Sequence, residues 1–175
     1  MKKLIISIVL LLTIYTKGQK IELIESFIGY TNKSEIISFT PNPQLIMSGD
    51  YNGNLNLWDL KKHKLIKTIP SHENIITNIT FHNRKNTFLT CSEDSTVKLW
   101  SLYSNRLLDS LKIIEVPTKA IFNEKGNQYF ICTKNGQIIS KYINKKNPEE
   151  ITKINHHIYD AILSSDQKNI ITCDH

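Results

Sequence analysis

Hydrophobic and polar residues alternate in short runs along the chain, and no stretch keeps a helical period. Ile36-Ile37-Ser38-Phe39 and Ile75-Ile76-Thr77-Asn78-Ile79-Thr80-Phe81 are β-branched and aromatic. Gln44–Ser48 and Thr87–Cys91 follow them, and Val97-Lys98-Leu99-Trp100 alternates polar with apolar. These patterns predict strands. The breaks between them are turn formers: Pro41-Asn42-Pro43, Asn83-Arg84-Lys85-Asn86, and tight turns at Asn52-Gly53, Asp94-Ser95 and Asn135-Gly136. Asn, Asp and Gly tolerate the left-handed backbone such turns need. Lys64–Ile69 and Arg106–Leu111 add a fourth strand to each unit.

The unit repeats. Trp58, Trp100 and Tyr142 lie 42 residues apart, closing the segments SGDYNGNLNLWD, TCSEDSTVKLWS and CTKNGQIISKYI. Phe39 and Phe81 keep the same spacing; Phe122 and Leu163 follow at intervals of 41. Leu65 lies 42 after Leu23. The drift to 41 suggests a third copy one residue shorter before its turn and one longer after it. Four short strands per copy make the chain all-β, built from β-propeller blades of four antiparallel strands. Copies span about 29–70, 71–112 and 113–154, with a partial fourth at 155–175.

These residues resemble the WD40 repeat family. Ser71-His72 stands where that family has Gly-His, 27 residues separate His72 from Trp100, and Trp58-Asp59 is the Trp-Asp pair. The resemblance implies a buried hydrogen-bonded tetrad, supplied in the second copy by His72, Thr90, Asp94 and Trp100. A closed network would satisfy a buried indole, imidazole and carboxylate together. In the first copy Ser48 and Trp58 match, with Asn52 in the place of the acid and Tyr30 in that of the histidine. The third copy lacks both Trp and His. The family commonly binds partners on the face carrying the loop before the first strand and the turn after the second. That implies an interaction face at Tyr51, Glu93, Lys134 and Asn74, where an exposed tyrosine beside charges suits a contact hot spot.

Three and a half copies fall short of the four to eight blades of typical propellers, so an incomplete ring with open edges is expected, as the front part of a longer propeller or closed by oligomerisation. Residues 19–28, around Glu22–Phe27, read as a candidate ring-closing outer strand. Residues 1–18 read as a secretory signal: Lys2-Lys3, the apolar run Leu4–Ile14, then Thr16-Lys17-Gly18. That run is shorter than the ~20 residues needed to span a bilayer. The expected location is therefore periplasmic or extracellular, with membrane contact only through an uncleaved signal.

The formal charge of +6 falls to about +3 once Lys2, Lys3 and Lys17 leave with the signal. The remaining lysines sit in turns and at strand ends, and no aromatic-interleaved basic patch points to nucleic acid. Cys91, Cys132 and Cys173 each follow Phe81, Phe122 and Leu163 by ten residues, which predicts three equivalent buried slots rather than disulfides. His156-His157 with Asp160 is the one cluster resembling a site. Adjacent strand residues diverge, so one of the pair is expected to be the fourth blade's histidine instead. No catalytic, cofactor or metal motif is present. The function expected is a non-catalytic protein-interaction platform, with other proteins as partners. The alternative is the docking or sensing front of a larger exported enzyme.

Overall fold

The computed structural model describes residues 33–173. The signal segment 1–18, the strand at 19–28, Leu23 and Tyr30 lie outside the described residues. Fourteen strands run in order, and no helix occurs among the described residues. The first sheet is β1 (Ser34–Phe39), β2 (Leu45–Asp50), β3 (Asn54–Asp59) and β4 (Lys64–Pro70). The second is β5 (Ile76–Phe81), β6 (Thr87–Ser92), β7 (Thr96–Ser101) and β8 (Leu107–Lys112). The third is β9 (Pro117–Phe122), β10 (Gln128–Thr133), β11 (Gln137–Tyr142) and β12 (Glu149–Lys153). A pair, β13 (Asp160–Leu163) and β14 (Ile170–Cys173), follows. Each sheet is an antiparallel meander, so its connections fall at two ends. The lower end carries the turns β1–β2 and β3–β4 and their equivalents. The upper end carries the β2–β3 turns and the loops leading to the next sheet.

Local chemistry sets both ends. At the lower end, Thr40, His82, Asn123 and Ser164 occupy the residue after the first strand of each sheet. Each accepts backbone N–H bonds from its own turn: Asn42 to Thr40 Oγ1 (3.2 Å), Lys85 to His82 Nδ1 (2.9 Å), Asn127 to Asn123 Oδ1 (3.2 Å) and Asn169 to Ser164 Oγ (3.0 Å). Such side-chain caps replace ladder bonds where the strand must reverse. At the upper end, Gly53, Ser95 and Gly136 turn with φ of 78°, 62° and 85°. A Cβ at Gly53 would lie 2.1 Å from the carbonyl oxygen of His72, so that position admits only glycine.

The core lies between the sheets. Met47, Leu55, Ile76, Phe88 and Trp100 join the first two. Leu89, Val97, Ala120, Tyr129 and Ile131 join the second and third, and Cys132, Ile138, Ile158 and Ala161 seat the final pair. Burying a leucine- or isoleucine-sized side chain contributes roughly 1.5–3 kcal/mol, so each sheet is held chiefly by its neighbours.

Two expectations are corrected here. Register shows that Tyr142 does not occupy the tryptophan position. Tyr142 pairs with Gln128 as Ser101 pairs with Thr87, whereas Lys141 pairs with Tyr129 as Trp100 pairs with Phe88. The lost residue lies in the loop after β8, which has four residues (113–116) against five (71–75) after β4. The whole third sheet is therefore offset by 41, with nothing lengthened inside it. The cysteines also differ. All three are free, but only Cys91 and Cys132 are buried; Cys173 is exposed. It shares the outer face of the β13–β14 pair with exposed Ile162 and Ile171, and no described strand covers that face.

Candidate functional site

Four side chains converge inside the second sheet. Register places Thr90 and Trp100 on adjacent strands, β6 and β7, and the loop after β4 delivers His72 above them. The Trp100 indole Nε1–H donates to Thr90 Oγ1 at 2.9 Å. Thr90 Oγ1 lies 2.7 Å from His72 Nε2, and His72 Nδ1 lies 2.9 Å from Asp94 Oδ2. A neutral imidazole with its proton on Nδ1 satisfies the whole chain: indole to hydroxyl, hydroxyl to Nε2, Nδ1–H to carboxylate. Burial holds the His72 pKa below its usual value despite the neighbouring Asp94. Burial alone would raise the Asp94 carboxyl. The Thr96 hydroxyl, the Glu73 N–H and His72 outweigh it and hold the carboxyl at about 2. Thr90 is fully buried at the centre of the network, which ties β6 and β7 to the loop before β5.

The first sheet keeps half of this. Trp58 Nε1–H donates to Ser48 Oγ at 3.0 Å. Asn52 is exposed, and the turn uses its backbone N–H, which donates to Asp50 Oδ1 at 3.0 Å. Asp50, 1% exposed, also accepts from the Asn54 backbone (2.8 Å) and the Asn56 amide (3.3 Å). Sequence reasoning passed over Asp50. The alternation of Asp50, Asn52, Asn54 and Asn56 was its signal, since such side chains bond their own turn. In the third sheet Ile113, Ile131 and Lys141 replace His72, Thr90 and Trp100. Lys141 is buried, pairs with Asp109 of the second sheet at 3.4 Å and donates to the carbonyls of Tyr142 and Lys145. An ion pair between sheets thus stands where a bond network within one sheet stood before.

His156 and His157 are both exposed. The Ile154 N–H donates to Gly136 O (3.0 Å) as the His72 N–H donates to Gly53 O (2.9 Å), so Ile154, not either histidine, occupies the equivalent place. No group of His, Cys, Asp or Glu among the described residues is arranged to hold a metal ion. A cavity of about 720 Å³ opens between the inner strands, walled by Phe39, Phe81, Phe122 and Leu163 and edged by His82, Arg84, Lys119 and Glu124.

The upper rim is regular. Tyr51, Glu93 and Lys134 follow the second strand of each sheet, and their N–H groups donate to the carbonyls of Lys33, Ile75 and Val116 at 2.9, 2.9 and 2.8 Å. They therefore repeat at one end of three successive sheets. Lys33 Nζ donates to the Tyr51 hydroxyl, which donates to Glu35 Oε2, both at 2.7 Å. The Lys33 ammonium also lies 4.5 Å from the Tyr51 ring centroid. Asn74 is exposed beside the Gly53 turn, its carbonyl accepting from Ser92 Oγ (3.0 Å). Ile114, 95% exposed in the loop before β9, also belongs to this rim; its place was hidden until the register was known.

Known proteins agree with this geometry. The family model "WD domain, G-beta repeat" matches residues 22–59 and 63–101. The WD repeat domain-containing protein 83 homolog of Dictyostelium discoideum is 33% identical over 45% of this chain and 25% of its own length. Human pre-mRNA-processing factor 17 is 34% identical over 37% of this chain and 11% of its own. DmX-like protein 1 of Mus musculus is 24% identical over 83% of this chain, which is 5% of that protein. The chain thus spans a quarter or less of these relatives. The β-propeller domain of Cps50 (Swd1) from Myceliophteria thermophila superposes with a TM-score of 0.73, covering 82% of this chain and 49% of that domain, at 14% identity. WD40 propellers generally act as non-catalytic scaffolds that bind other proteins. Two of its repeats, 22–59 and 63–101, thus match the WD40 repeat model, and the four-stranded sheets and the propeller neighbour show the same β-propeller architecture through the rest of the described residues.

Proposed function

We propose that the chain is a non-catalytic platform for protein–protein contact, working outside the cytoplasm, with its partner face at the upper rim. The observation that carries this reading is the recurrence of Tyr51, Glu93 and Lys134 at one end of three successive sheets, with Asn74 between them. Their backbones are pinned by inter-strand bonds, so the side chains are presented from a rigid base, which lowers the entropy lost on binding. Tyr51, braced by Lys33 and Glu35, offers a large amphipathic ring suited to an anchor. Export is supported by Lys2-Lys3 and the apolar run that follows.

The test begins with capture from the exported fraction and identification of the bound protein. Purified partner is then titrated against wild type and against the Tyr51→Ala/Glu93→Lys double variant. The variant is expected to bind at least tenfold more weakly with an unchanged melting midpoint, as two central contacts of ordinary worth would give. Undiminished binding would move the partner face elsewhere. A processed species of ~18 kDa in the exported fraction supports export; recovery only from the cytoplasm refutes it.

A further inference from the structure

The two ends of the blades differ in charge. The seven lower-end connections, β1–β2 through β13–β14, hold nine lysines and arginines and two acids. The β3–β4 turn supplies Lys61 and Lys62, the β5–β6 turn Arg84 and Lys85, and the β7–β8 turn Arg106. Later turns add Lys125, Lys145, Lys146 and Lys168, and every one of the nine is exposed. Glu124 and Asp166 are the only acids in these turns. Ion pairs among the described residues engage three of the nine: Lys62 with Asp59, Arg84 with Glu124 and Lys145 with Glu149. The upper-end connections show the reverse. Glu73, Glu93, Asp94 and Glu115 stand there against Lys134, with Lys33 just before β1 as a second cation on that rim.

In sequence these cations are scattered over more than a hundred residues and read as solvated turn lysines. The meander collects them, because the β1–β2 and β3–β4 turns and their equivalents all fall at the same end. Exposed apolar surface accompanies them: Tyr103, 80% exposed in the same turn as Arg106, and Phe39, 53% exposed at the lower end of β1.

We propose that the lower end of the blades is a docking surface for a lipid bilayer rich in anionic headgroups. Three features favour a bilayer over nucleic acid. Eight of the nine cations are spread across a face made of turns, as a flat polyanion requires, and Arg84 is the one of them that lines the cavity between the inner strands. Seven of the nine are lysines, which act as point charges rather than forks that read bases or phosphates bidentately. Tyr103 is an amphipathic side chain suited to the headgroup layer; it and Phe39, on different sheets, are the exposed Phe, Tyr or Trp rings at this end among the described residues, too few for a platform on which successive bases stack. Attraction of several lysines to an anionic leaflet adds roughly lysine by lysine and fades within a Debye length. Docked this way, the acidic upper rim with Tyr51, Asn74 and Glu93 faces away from the membrane. The inference does not depend on that rim binding a protein.

The test is sedimentation of the full chain with vesicles of phosphatidylcholine alone or with ~30% phosphatidylglycerol, at 0.1 and 0.5 M salt, beside titration of a labelled single-stranded oligonucleotide. Wild type is expected to partition at least tenfold more strongly onto the anionic vesicles at low salt and to lose that preference at high salt. Lys61→Glu/Lys62→Glu/Lys145→Glu/Lys146→Glu should lose it at low salt as well, whereas Lys134→Glu on the opposite rim should keep it. The melting midpoint reports on folding, and a Gln series replaces the Glu series if the latter melts early. Equal partition onto neutral vesicles, an unaffected quadruple variant, or tighter binding of the oligonucleotide than of the anionic vesicles at the same salt would each overturn the proposal. The Tyr51→Ala/Glu93→Lys variant should sediment as wild type, which separates failure of this surface from failure of the partner face.

Discussion

Replacing Thr90 by valine tests whether the buried network or mere packing holds the second blade. Thr90 is fully buried and touches two partners through one oxygen: the Trp100 indole at 2.9 Å and His72 Nε2 at 2.7 Å. Valine keeps the shape of threonine and removes only that oxygen. The indole N–H and the imidazole nitrogen are then left buried without this partner, at about 1–3 kcal/mol each. The expected loss is about 2–6 kcal/mol, which for a chain of this length lowers the melting midpoint by roughly 4–24 °C. Thr90→Ser keeps the hydroxyl and deletes one methyl, a loss of about 1 kcal/mol. Urea unfolding followed by tryptophan fluorescence, with free energies from linear extrapolation, should therefore rank wild type above serine and serine above valine. A valine variant within 0.5 kcal/mol of wild type, or more stable than the serine variant, would refute the network. Trp100 would then matter only as a large apolar side chain.

Acid should weaken the fold in two stages. The His72 pKa is lowered in the folded state, so its contribution is complete above the unfolded value near 6.5 and declines as pH falls below it. The Asp94 carboxyl titrates at about 2 against 3.8 unfolded, so its contribution is lost as pH falls from about 4 to 2. His72→Gln should flatten the upper limb of a stability–pH curve, and an unchanged limb would assign it to another group. Gly53→Ala should destabilise the chain by at least ~2 kcal/mol, because the left-handed φ of 78° and the 2.1 Å approach to the His72 carbonyl leave no room for a Cβ; a melting shift below about 2 °C would contradict it. Asp109→Ala should lower the urea midpoint more than Lys141→Met, since the first leaves a buried ammonium without its carboxylate and the second removes the charge. The opposite order would mean that water solvates Lys141.

The sequence by itself determined the architecture. Alternation, turn residues and the 42-residue spacing placed twelve strands in three sheets and part of a fourth, because strand period and turn chemistry are local properties of the backbone. The members of the second blade's network, His72, Thr90, Asp94 and Trp100, came from the resemblance to WD40 repeats, carried over by position. What spacing could not decide was register. Aligned by aromatic residues, Tyr142 took the place of the tryptophan; only strand pairing showed that a loop one residue shorter had put Lys141 there, with Asp109 of another sheet as its partner. Pairing likewise moved Asn52 out of the first network and put Asp50 at the centre of its turn, and it set both His156 and His157 at the surface. The charge polarity is the largest such effect. Lys61, Arg84, Arg106 and Lys145 lie far apart along the chain, and only the alternating direction of the strands sends their turns to one end and Glu73, Glu93 and Glu115 to the other. Local sequence specifies which residues turn; the tertiary meander decides on which side of the molecule those turns gather.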